Sequence, residues 1–253
     1  MSVKKMHFIL GFFRCGNTLL RSIINQNPNV YLSPLSITPE IFFRLDLIKN
    51  ITVYKEVGDS LSLKNVTEQI FNLYYKNKKQ EYIIEQAPWG TDYNYKILID
   101  HGYHNSKFIC LVRPLKQIIA SWVKLDNPEN IEEYVDKLMQ ERGNIYHPFL
   151  SINNLRKNNI DIKFISYDNL TSRPKETIDE IYDYLNIPRF THSFNELKQP
   201  TNETELKLLG EQVIIRDEVK KIEYDYDQYC PTYLLEKYKN IDIMISEILK
   251  KIK

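Results

Sequence analysis

The sequence predicts an α/β protein in which a parallel β-sheet lies between layers of helices, giving three layers in a single domain. Short runs of residues that are apolar at nearly every position alternate with longer stretches of helical periodicity. Such runs are typical of strands in a sheet that helices cover on both faces. The chain has 253 residues, of which 43% are hydrophobic and 26% charged, so it can bury one large core. We expect one domain over residues 1–253, mostly loop and helix from about residue 190 onward.

Four apolar runs are the expected strands, over residues 7–12, 82–85, 107–112 and 162–167. Helical patterns cover residues 17–27, a stretch after Pro114 that extends through Trp122, and residues 129–157, 175–185 and 234–253. Because strands and helices alternate, right-handed crossover connections are expected to place the strands parallel to one another in one sheet.

Composition and charge exclude several classes of protein. The formal net charge is +1, so no overall field attracts nucleic acid or an anionic membrane, and we expect no nucleic-acid partner. No apolar run approaches the roughly 18–20 residues that cross a bilayer, so we expect no membrane span. Cys15, Cys110 and Cys230 have neither the spacing of a zinc site nor the even number of a disulfide framework. The sequence starts without a signal-peptide pattern, and these features together predict a cytoplasmic protein.

A glycine loop joins the first expected strand to the first expected helix. Its residues, GFFRCGNT from Gly11 to Thr18, have the layout of a phosphate-binding loop, as in a P-loop-type sheet. Gly16 lets the backbone curl, so that N–H groups and the helix N-terminus face an anion. Asn17 replaces the lysine of the nucleoside-triphosphate version, and Arg14 adds a cation inside the loop. A tight strand-to-helix turn that binds nothing would produce the same pattern.

A second cationic position follows the third expected strand. Arg113 stands at the end of that strand, and Ser121 follows eight residues later, about two turns into the next helix. Because ligands of open α/β sheets bind beyond the carboxyl ends of the strands, we expect Arg113 on the same edge as the glycine loop. The two residues would then clamp a second phosphate. The alternatives are a surface salt bridge for Arg113 and a backbone hydrogen bond for Ser121.

Three segments together resemble the sulfotransferases that use 3′-phosphoadenosine 5′-phosphosulfate (PAPS). FFRCGNTLLRSIINQNPNV, residues 12–30, is similar to the family's 5′-phosphosulfate loop, P-R-S-G-T-T-L-L followed by a helix and H-P-x-V. KFICLVRPLKQIIASW, residues 107–122, resembles the family's 3′-phosphate motif and has the same Arg-to-Ser spacing. ISYDNLTSRPKETIDEIYDYLNIP, residues 165–188, resembles the strand ending in Y-E-D-L and the helix ending in F-L-G-I-P. The three segments occur in the family's order.

The resemblance implies a role for each matching residue. It assigns the 5′-phosphosulfate to Arg14, Cys15, Gly16, Asn17 and Thr18, and the 3′-phosphate to Arg113 and Ser121. The thiol of Cys15 is expected to pack and not to act as a nucleophile. Tyr167 would lie near the adenine, where an aromatic ring can stack, unless it is a core residue. Residues 213–216, including Arg216, with Lys220 and Lys221 after them, would close over the donor or form a solvated loop.

The sequence does not identify a single residue as the catalytic base. Gln86 stands where the family often has a lysine or histidine at the end of its second strand, and an amide cannot act as a base. Glu40 resembles in position the catalytic glutamate of protein-tyrosine sulfotransferases, although a glutamate there also suits a helix start. Glu85 is the second candidate. His101 and His104 lie on a helical pattern and are more simply explained by contact with a neighbour or solvent.

These features predict a sulfotransferase that moves a sulfuryl group from PAPS to a hydroxyl or amine, releasing adenosine 3′,5′-bisphosphate (PAP). Glu40 or Glu85 would take the proton, and Arg14 would stabilise the leaving group. We expect no metal ion, since no Walker-B carboxylate follows an apolar strand and Arg14 supplies the charge. The alternatives are a P-loop nucleotide or small-molecule kinase and a non-catalytic nucleotide-binding relative. A carbohydrate, a lipid, a peptide or a small metabolite would each suit as acceptor.

Overall fold

Five parallel strands form one sheet in the computed structural model, which describes residues 4–103, 105–200 and 215–252. The strands are β1 (Lys5–Gly11), β2 (Val30–Leu35), β3 (Tyr82–Gln86), β4 (Phe108–Val112) and β5 (Ile162–Ser166). Their order across the sheet is β2-β3-β1-β4-β5, and every neighbouring pair is parallel. The first strand of the chain is therefore central, and the connections run to both sides of it.

Helices connect the strands and follow the last of them. Between β1 and β3 lie α1 (Asn17–Ile24), α2 (Thr38–Ile48), α3 (Thr52–Val57), α4 (Ser60–Glu68) and α5 (Ile70–Tyr74). Between β3 and β5 lie α6 (Asp92–Asp100), α7 (Leu115–Asp126), α8 (Ile131–Leu138) and α9 (Tyr146–Lys157). After β5 come α10 (Tyr167–Ser172), α11 (Pro174–Leu185), α12 (Thr232–Lys237) and α13 (Lys239–Lys251). Of the helices in the described ranges, none is both long and apolar enough to cross a membrane.

Apolar side chains on both faces of the sheet hold the helices to it. Every residue of β4 is buried, which requires cover on both faces, and α9 packs on β1 while α13 packs on β4. The ring of Phe8 in β1 lies at the centre of an aromatic cluster. Its centroid is 5.8 Å from that of Phe71, 5.2 Å from that of Trp89 and 5.6 Å from that of Phe108. The predicted α/β fold with helices on both faces of a parallel sheet is confirmed.

One strand was not predicted from the sequence. The four expected strands correspond to β1, β3, β4 and β5, and the structure adds β2 at the edge of the sheet, paired with β3. Pro34 lies inside β2, and the pairing becomes irregular between Leu32 and Leu35. A proline is tolerated in an edge strand because one side of the strand needs no partner, yet in a sequence it argues against a strand.

Several expected boundaries were also wrong, among them that of β1, which covers Lys5–Gly11 and not residues 7–12. β5 stops at Ser166, whose hydroxyl accepts the backbone N–H of Asn169 at 3.0 Å, so Tyr167 begins α10 and does not end the strand. α1 ends at Ile24 and not at residue 27. The expected helix over residues 234–253 is divided into α12 and α13 at Tyr238, whose hydroxyl donates to Asp136 of α8. The periodicity of a local sequence does not predict such capping and tertiary contacts, so it does not predict the ends of these elements.

The carboxyl ends of the strands meet at one edge of the sheet. Gly11, the last residue of β1, pairs with Leu111 near the end of β4, and β4 and β5 pair in register up to their last residues. The segments that leave these strands therefore start side by side. They are the glycine loop after β1, Arg113 after β4 and Tyr167 after β5. Parallel topology thus gathers the three segments in one place.

Candidate active site

The glycine loop turns sharply between β1 and α1 and includes residues of positive φ. The φ angles are 126° at Gly11, 68° at Arg14 and 97° at Gly16. A Cβ atom on Gly11 would lie 2.7 Å from the carbonyl oxygen of Leu111, and one on Gly16 would lie 3.0 Å from the ring of Tyr167. Both glycines are therefore required by the close approach of neighbouring elements as well as by the backbone angle.

The N-terminus of α1 follows directly after the loop. The carbonyl oxygen of Gly16 accepts the N–H of Leu20 at 2.9 Å, which closes the first helical turn. The side-chain Nδ2 of Asn17 donates to the carbonyl oxygen of Phe12 at 3.2 Å, so the amide that replaces the usual lysine holds the loop curled. Thr18 follows and is half-buried. The first backbone N–H groups of a helix have no acceptor within the helix, and such an N-terminus favours an anion.

Arg14 extends from the loop toward α7. Its Nε donates to the hydroxyl of Ser121 at 3.1 Å, and its Cζ lies 6.0 Å from the centroid of the Trp122 ring. Burial lowers the pKa of Arg14, and the nearby charge of Arg113 lowers it further. A guanidinium nevertheless stays protonated at neutral pH. Two cations are thus held close together in a partly buried place, which favours the binding of an anion between them.

Arg113 is a buried cation with neutral neighbours. Arg113 is 5% exposed. Its Nε donates to Oε1 of Gln117 at 2.8 Å, and its two terminal nitrogens donate to the carbonyl oxygen of Arg14 at 3.4 Å and to the hydroxyl of Tyr226 at 3.3 Å. Its Cζ lies 4.3 Å from the centroid of the Tyr167 ring. Among the ion pairs of the described residues, none involves Arg113. A buried guanidinium without a carboxylate is costly unless an anionic ligand compensates it.

A segment from the far end of the chain crosses over Arg113. We call residues 222–227 the tyrosine segment. The N–H of Ile222 donates to the hydroxyl of Tyr167 at 3.4 Å, and the hydroxyl of Tyr226 donates to the carbonyl oxygen of Ile222 at 3.1 Å. Asp227 forms an ion pair with Lys116 at the start of α7. These contacts attach the tyrosine segment to both Tyr167 and α7.

Cys15, like Phe12, is a loop residue with 0% exposure, so its side chain is turned wholly into the core. Burial raises the pKa of its thiol to about 12, so the thiol is neutral at pH 7. This agrees with the expectation that Cys15 packs and is not a nucleophile. Only its backbone N–H can face a ligand held in the loop.

The two carboxylic acids predicted as candidate bases lie in opposite environments. Glu85 in β3 has 0% exposure, its Oε1 accepts the hydroxyl of Thr38, and burial raises its pKa to about 7. Glu40, in the first turn of α2, has a side chain that is 57% exposed, with its Oε1 2.6 Å from Nε of Arg44. Gln86, which follows Glu85, is half-buried. Of the two acids, Glu40 alone reaches solvent and can meet an acceptor.

The structure does not bring Arg216 to the other predicted donor residues. Its side chain is exposed, and the neighbouring Ile215 donates its N–H to Oε1 of Gln199 at 3.1 Å. Within the described residues, no hydrogen bond or ion pair joins Arg216 to the glycine loop or to Arg113. Residues 213 and 214, predicted as part of the same segment, lie outside the described residues.

The two histidines weighed as bases are separate from the donor residues. Nδ1 of His101 is 3.0 Å from the hydroxyl of Thr67, and its ring is stacked on Phe42 with centroids 5.5 Å apart. Burial lowers the pKa of His101. The expectation that His101 contacts a neighbour agrees with these partners, and His104 lies outside the described residues.

Two residues of the site were not singled out in the sequence. Gln117, which accepts from Arg113, lies four residues after it, and this spacing across the start of α7 was a signal that could have identified it. Tyr226 is 113 residues away from Arg113 along the chain. Only the fold brings the two together, and no local pattern indicates the contact.

Comparison with known proteins gives an independent view of this arrangement. Residues 7–192 match the model of a family described as the sulfotransferase family. The chain is 24% identical over 193 residues to a "Putative protein-tyrosine sulfotransferase" of Caenorhabditis briggsae, a match that covers 73% of this chain and 66% of the relative. The chain thus spans slightly less than two thirds of that relative's length. The matched range contains the glycine loop, Arg113, Ser121 and Tyr167.

Solved structures share the fold at low sequence identity. A sulfotransferase from Alicyclobacillus acidocaldarius superposes with a TM-score of 0.54 at 13% identity, covering 98% of this chain and 96% of that chain. Mouse sulfotransferase SULT7A1, solved as a complex with PAP, superposes with a TM-score of 0.55 at 14% identity, covering 98% of this chain and 90% of that chain. At these identities the likeness concerns the fold.

Proposed function

The chain belongs to the sulfotransferase family, and on that premise we propose that it transfers a sulfuryl group from PAPS to a hydroxyl or amine of an acceptor. The single observation that carries the proposal is the environment of Arg113. This guanidinium is 5% exposed, and within the described residues its hydrogen-bond partners are all neutral. A donor that carries a 3′-phosphate supplies the missing anion.

The two cations of the site match the two anionic groups of PAPS. Arg113 and Ser121 are assigned to the 3′-phosphate, and Arg14 with the backbone of the glycine loop to the 5′-phosphosulfate. The hydrogen bond between Arg14 and Ser121, at 3.1 Å, links these two halves. Tyr167 offers an aromatic ring for the adenine. Arg216 remains a proposed contact of the closed, donor-bound protein.

In the proposed transfer, the protein forms no covalent bond to the substrates. An acceptor oxygen or nitrogen attacks the sulfur, the bond between sulfur and the 5′-phosphate oxygen breaks, and PAP leaves with the electron pair. Arg14, Asn17, Thr18 and the N–H groups of α1 stabilise the negative charge that develops on the leaving phosphate. The proton of the acceptor passes to a base, which restores neutrality in the attacking group.

Glu40 is our proposed base. It belongs to the first turn of α2, which follows β2 at the carboxyl edge of the sheet, and its carboxylate is 57% exposed. The ion pair with Arg44 is an exposed pair, which a substrate can displace at small cost. Glu85 is fully buried and is assigned a different role below.

A kinase is the less favoured function. Phosphoryl transfer from ATP relies on a loop lysine and on carboxylates that hold Mg²⁺. Here Asn17 takes the lysine's place and uses its amide within the loop. We also propose that transfer needs no metal ion, which is tested by adding EDTA, and that the protein acts in the cytoplasm, which its three free thiols favour.

Calorimetric titration and a transfer assay test the proposal together. We expect PAP to bind more tightly than ADP or ATP, because only PAP offers a 3′-phosphate to Arg113. Sulfur-labelled PAPS is then supplied with a tyrosine-containing acidic peptide, 2-naphthol, a glycan and a long-chain alcohol as acceptors. The peptide comes first because the Caenorhabditis briggsae relative is named for protein tyrosine.

Two results would contradict the proposed function. Tighter binding of ATP than of PAP would refute the assignment of the donor. Tight PAP binding without transfer to any acceptor class would support the non-catalytic nucleotide-binding relative instead. Label recovered on an acceptor with matched release of PAP would support sulfuryl transfer and identify the acceptor's class.

A further inference from the structure

We propose that Glu85 is a positioning residue, whose buried carboxyl group fastens the first turn of α2, and Glu40 on it, to the carboxyl end of β3. The inference rests on the proposed function, in which Glu40 takes the proton of the acceptor. It gives Glu85 a role different from that of a base. It also explains why an acid is kept inside an apolar core, where ionisable groups are rare without a partner.

The bond between Glu85 and α2 joins two fully buried side chains. Thr38 is the first residue of α2, and both Thr38 and Glu85 have 0% exposure. The hydroxyl of Thr38 donates to Oε1 of Glu85. Buried hydrogen bonds of this kind are costly to break, because each partner would be left unsatisfied away from water. The bond therefore fixes the start of α2 relative to the sheet.

Neighbouring bonds fasten the rest of the connection from β2 to α2. The N–H of Gln86 donates to the hydroxyl of Ser33 at 2.9 Å, and the carbonyl oxygen of Gln86 accepts the N–H of Ser36 at 2.8 Å. The hydroxyl of Ser36 in turn accepts the N–H of Thr38 at 3.2 Å. Two successive residues of β3, Glu85 and Gln86, thus hold the turn that leads into α2. Glu40 lies two residues beyond this anchored turn.

The surroundings of Glu85 argue against direct contact with an acceptor. Tyr75, the residue after α5, and Trp89, in the segment after β3, are both buried and approach the carboxyl group, as do Ser36 and Thr38. Oε2 of Glu85 has no hydrogen-bond partner within the described part of the chain. An acceptor would have to enter the core to reach it. The carboxyl group can act on the reaction only through the element that it holds.

Variants of the two partners test the inference. Glu85→Gln keeps the shape but weakens the bond, Thr38→Val removes the hydroxyl, and Thr38→Ser retains it. Misplacing a catalytic group by about 1 Å can cost up to roughly a hundredfold in rate, so we expect kcat to fall at least about tenfold in Glu85→Gln and Thr38→Val. The double variant should be no slower than the slower single one, and Thr38→Ser should keep most activity. The Kd for PAP should change less than about twofold throughout.

Thr67→Val is the matched control, since Thr67 is also a buried threonine with a side-chain partner, His101, but lies in α4. We expect its kcat to be unchanged. The rising limb of the kcat–pH profile should keep its position in Glu85→Gln and Thr38→Val, and should be lost in Glu40→Gln. A structural defect alone would not separate these profiles.

Hydrogen exchange provides a readout that does not depend on activity. Amides in the first two turns of α2 should exchange faster in Glu85→Gln and Thr38→Val than in the unmodified protein, with α13 unchanged. Unchanged exchange in α2 would overturn the inference even if no acceptor were found. Loss of transfer in Glu85→Gln with full activity in Thr38→Val would also overturn it and make Glu85 the base. Failure of PAP to bind the unmodified protein would instead refute the proposed function.

Discussion

The Tyr167 ring contacts Arg113, whose Cζ lies 4.3 Å from the ring centroid. The same ring packs so closely on Gly16 that a Cβ atom there would lie 3.0 Å from it. Tyr167 therefore contacts both the glycine loop after β1 and the cation after β4, which also donates directly to the carbonyl oxygen of Arg14. A change on either side of this ring should therefore alter donor binding.

Replacing Arg113 should weaken the binding of nucleotides that carry a 3′-phosphate much more than the binding of those that lack it. In Arg113→Gln we expect the Kd for PAP to rise by about 10- to 100-fold, the usual value of a charge-assisted hydrogen-bonded pair. The Kd for AMP, which lacks the 3′-phosphate, should change less than about threefold. Calorimetric titration of both nucleotides measures the difference. Arg189→Gln, at an exposed arginine paired with Asp183, is the control; equal losses for PAP and AMP would contradict the clamp.

A methyl group on Gly16 should weaken donor binding as well as stability. Gly16 and Gly102 both have positive φ, 97° and 86°, but a Cβ atom on Gly102 would meet nothing within 4 Å. Each alanine variant should lose about 1 kcal/mol of the free energy of unfolding through backbone strain. Only Gly16→Ala should also displace Tyr167 and raise the Kd for PAP. Urea unfolding and PAP titration of both variants check this, and equal PAP affinities would show that the ring contact is unimportant.

Glu85 should make stability depend on pH. Burial raises its pKa to about 7 from the ordinary value of 4.5, so between these values the folded protein holds a proton that the unfolded chain has lost. The free energy of unfolding should therefore fall as pH rises, by about 1.4 kcal/mol per pH unit from this group and roughly 3 kcal/mol in all. Glu85→Gln lacks this contribution.

The measurement is urea unfolding of both proteins between pH 4.5 and 8. The stability of the unmodified protein relative to Glu85→Gln should decline up to about pH 7 and then become constant. Glu40→Gln, which changes an exposed acid and retains Glu85, should lose stability with rising pH as the unmodified protein does. A difference that is independent of pH would mean that Glu85 ionises at its ordinary pKa.

The thiols should be unreactive until the protein unfolds. Cys15, Cys110 and Cys230 each have 0% exposure, and burial raises the pKa of Cys15 to about 12 and that of Cys230 to about 11. Because the thiolate is the reactive species, 5,5′-dithiobis(2-nitrobenzoic acid) should titrate no thiol rapidly in the native protein and three in denaturant. Cys15→Ser provides the assignment, and fast labelling of one thiol that Cys15→Ser abolishes would contradict the burial of the loop thiol.

Several parts of the site were predictable because they depend on local sequence. The glycine loop, Arg113 and Ser121 were identified from their spacing relative to apolar runs, since a residue that follows a buried parallel strand must leave from one edge of the sheet. The resemblance to sulfotransferases implied that Tyr167 lies near the donor, while the apolar run placed this residue at a strand end and not in the first turn of α10. β2 was missed because Pro34 argues against a strand unless the strand is known to lie at an edge.

The sequence alone was sufficient to predict an α/β fold and a loop with the features of a phosphate site, because strand burial, glycine geometry and helix starts are short-range properties. Only the tertiary structure decided which groups surround Arg113 and which acid is accessible. Tyr226 reaches Arg113 across 113 residues of chain, and Glu85 and Glu40 differ in exposure although both are glutamates near strand ends. Burial and long-range contact depend on how separate elements pack, and the pKa of an acid depends in turn on that packing.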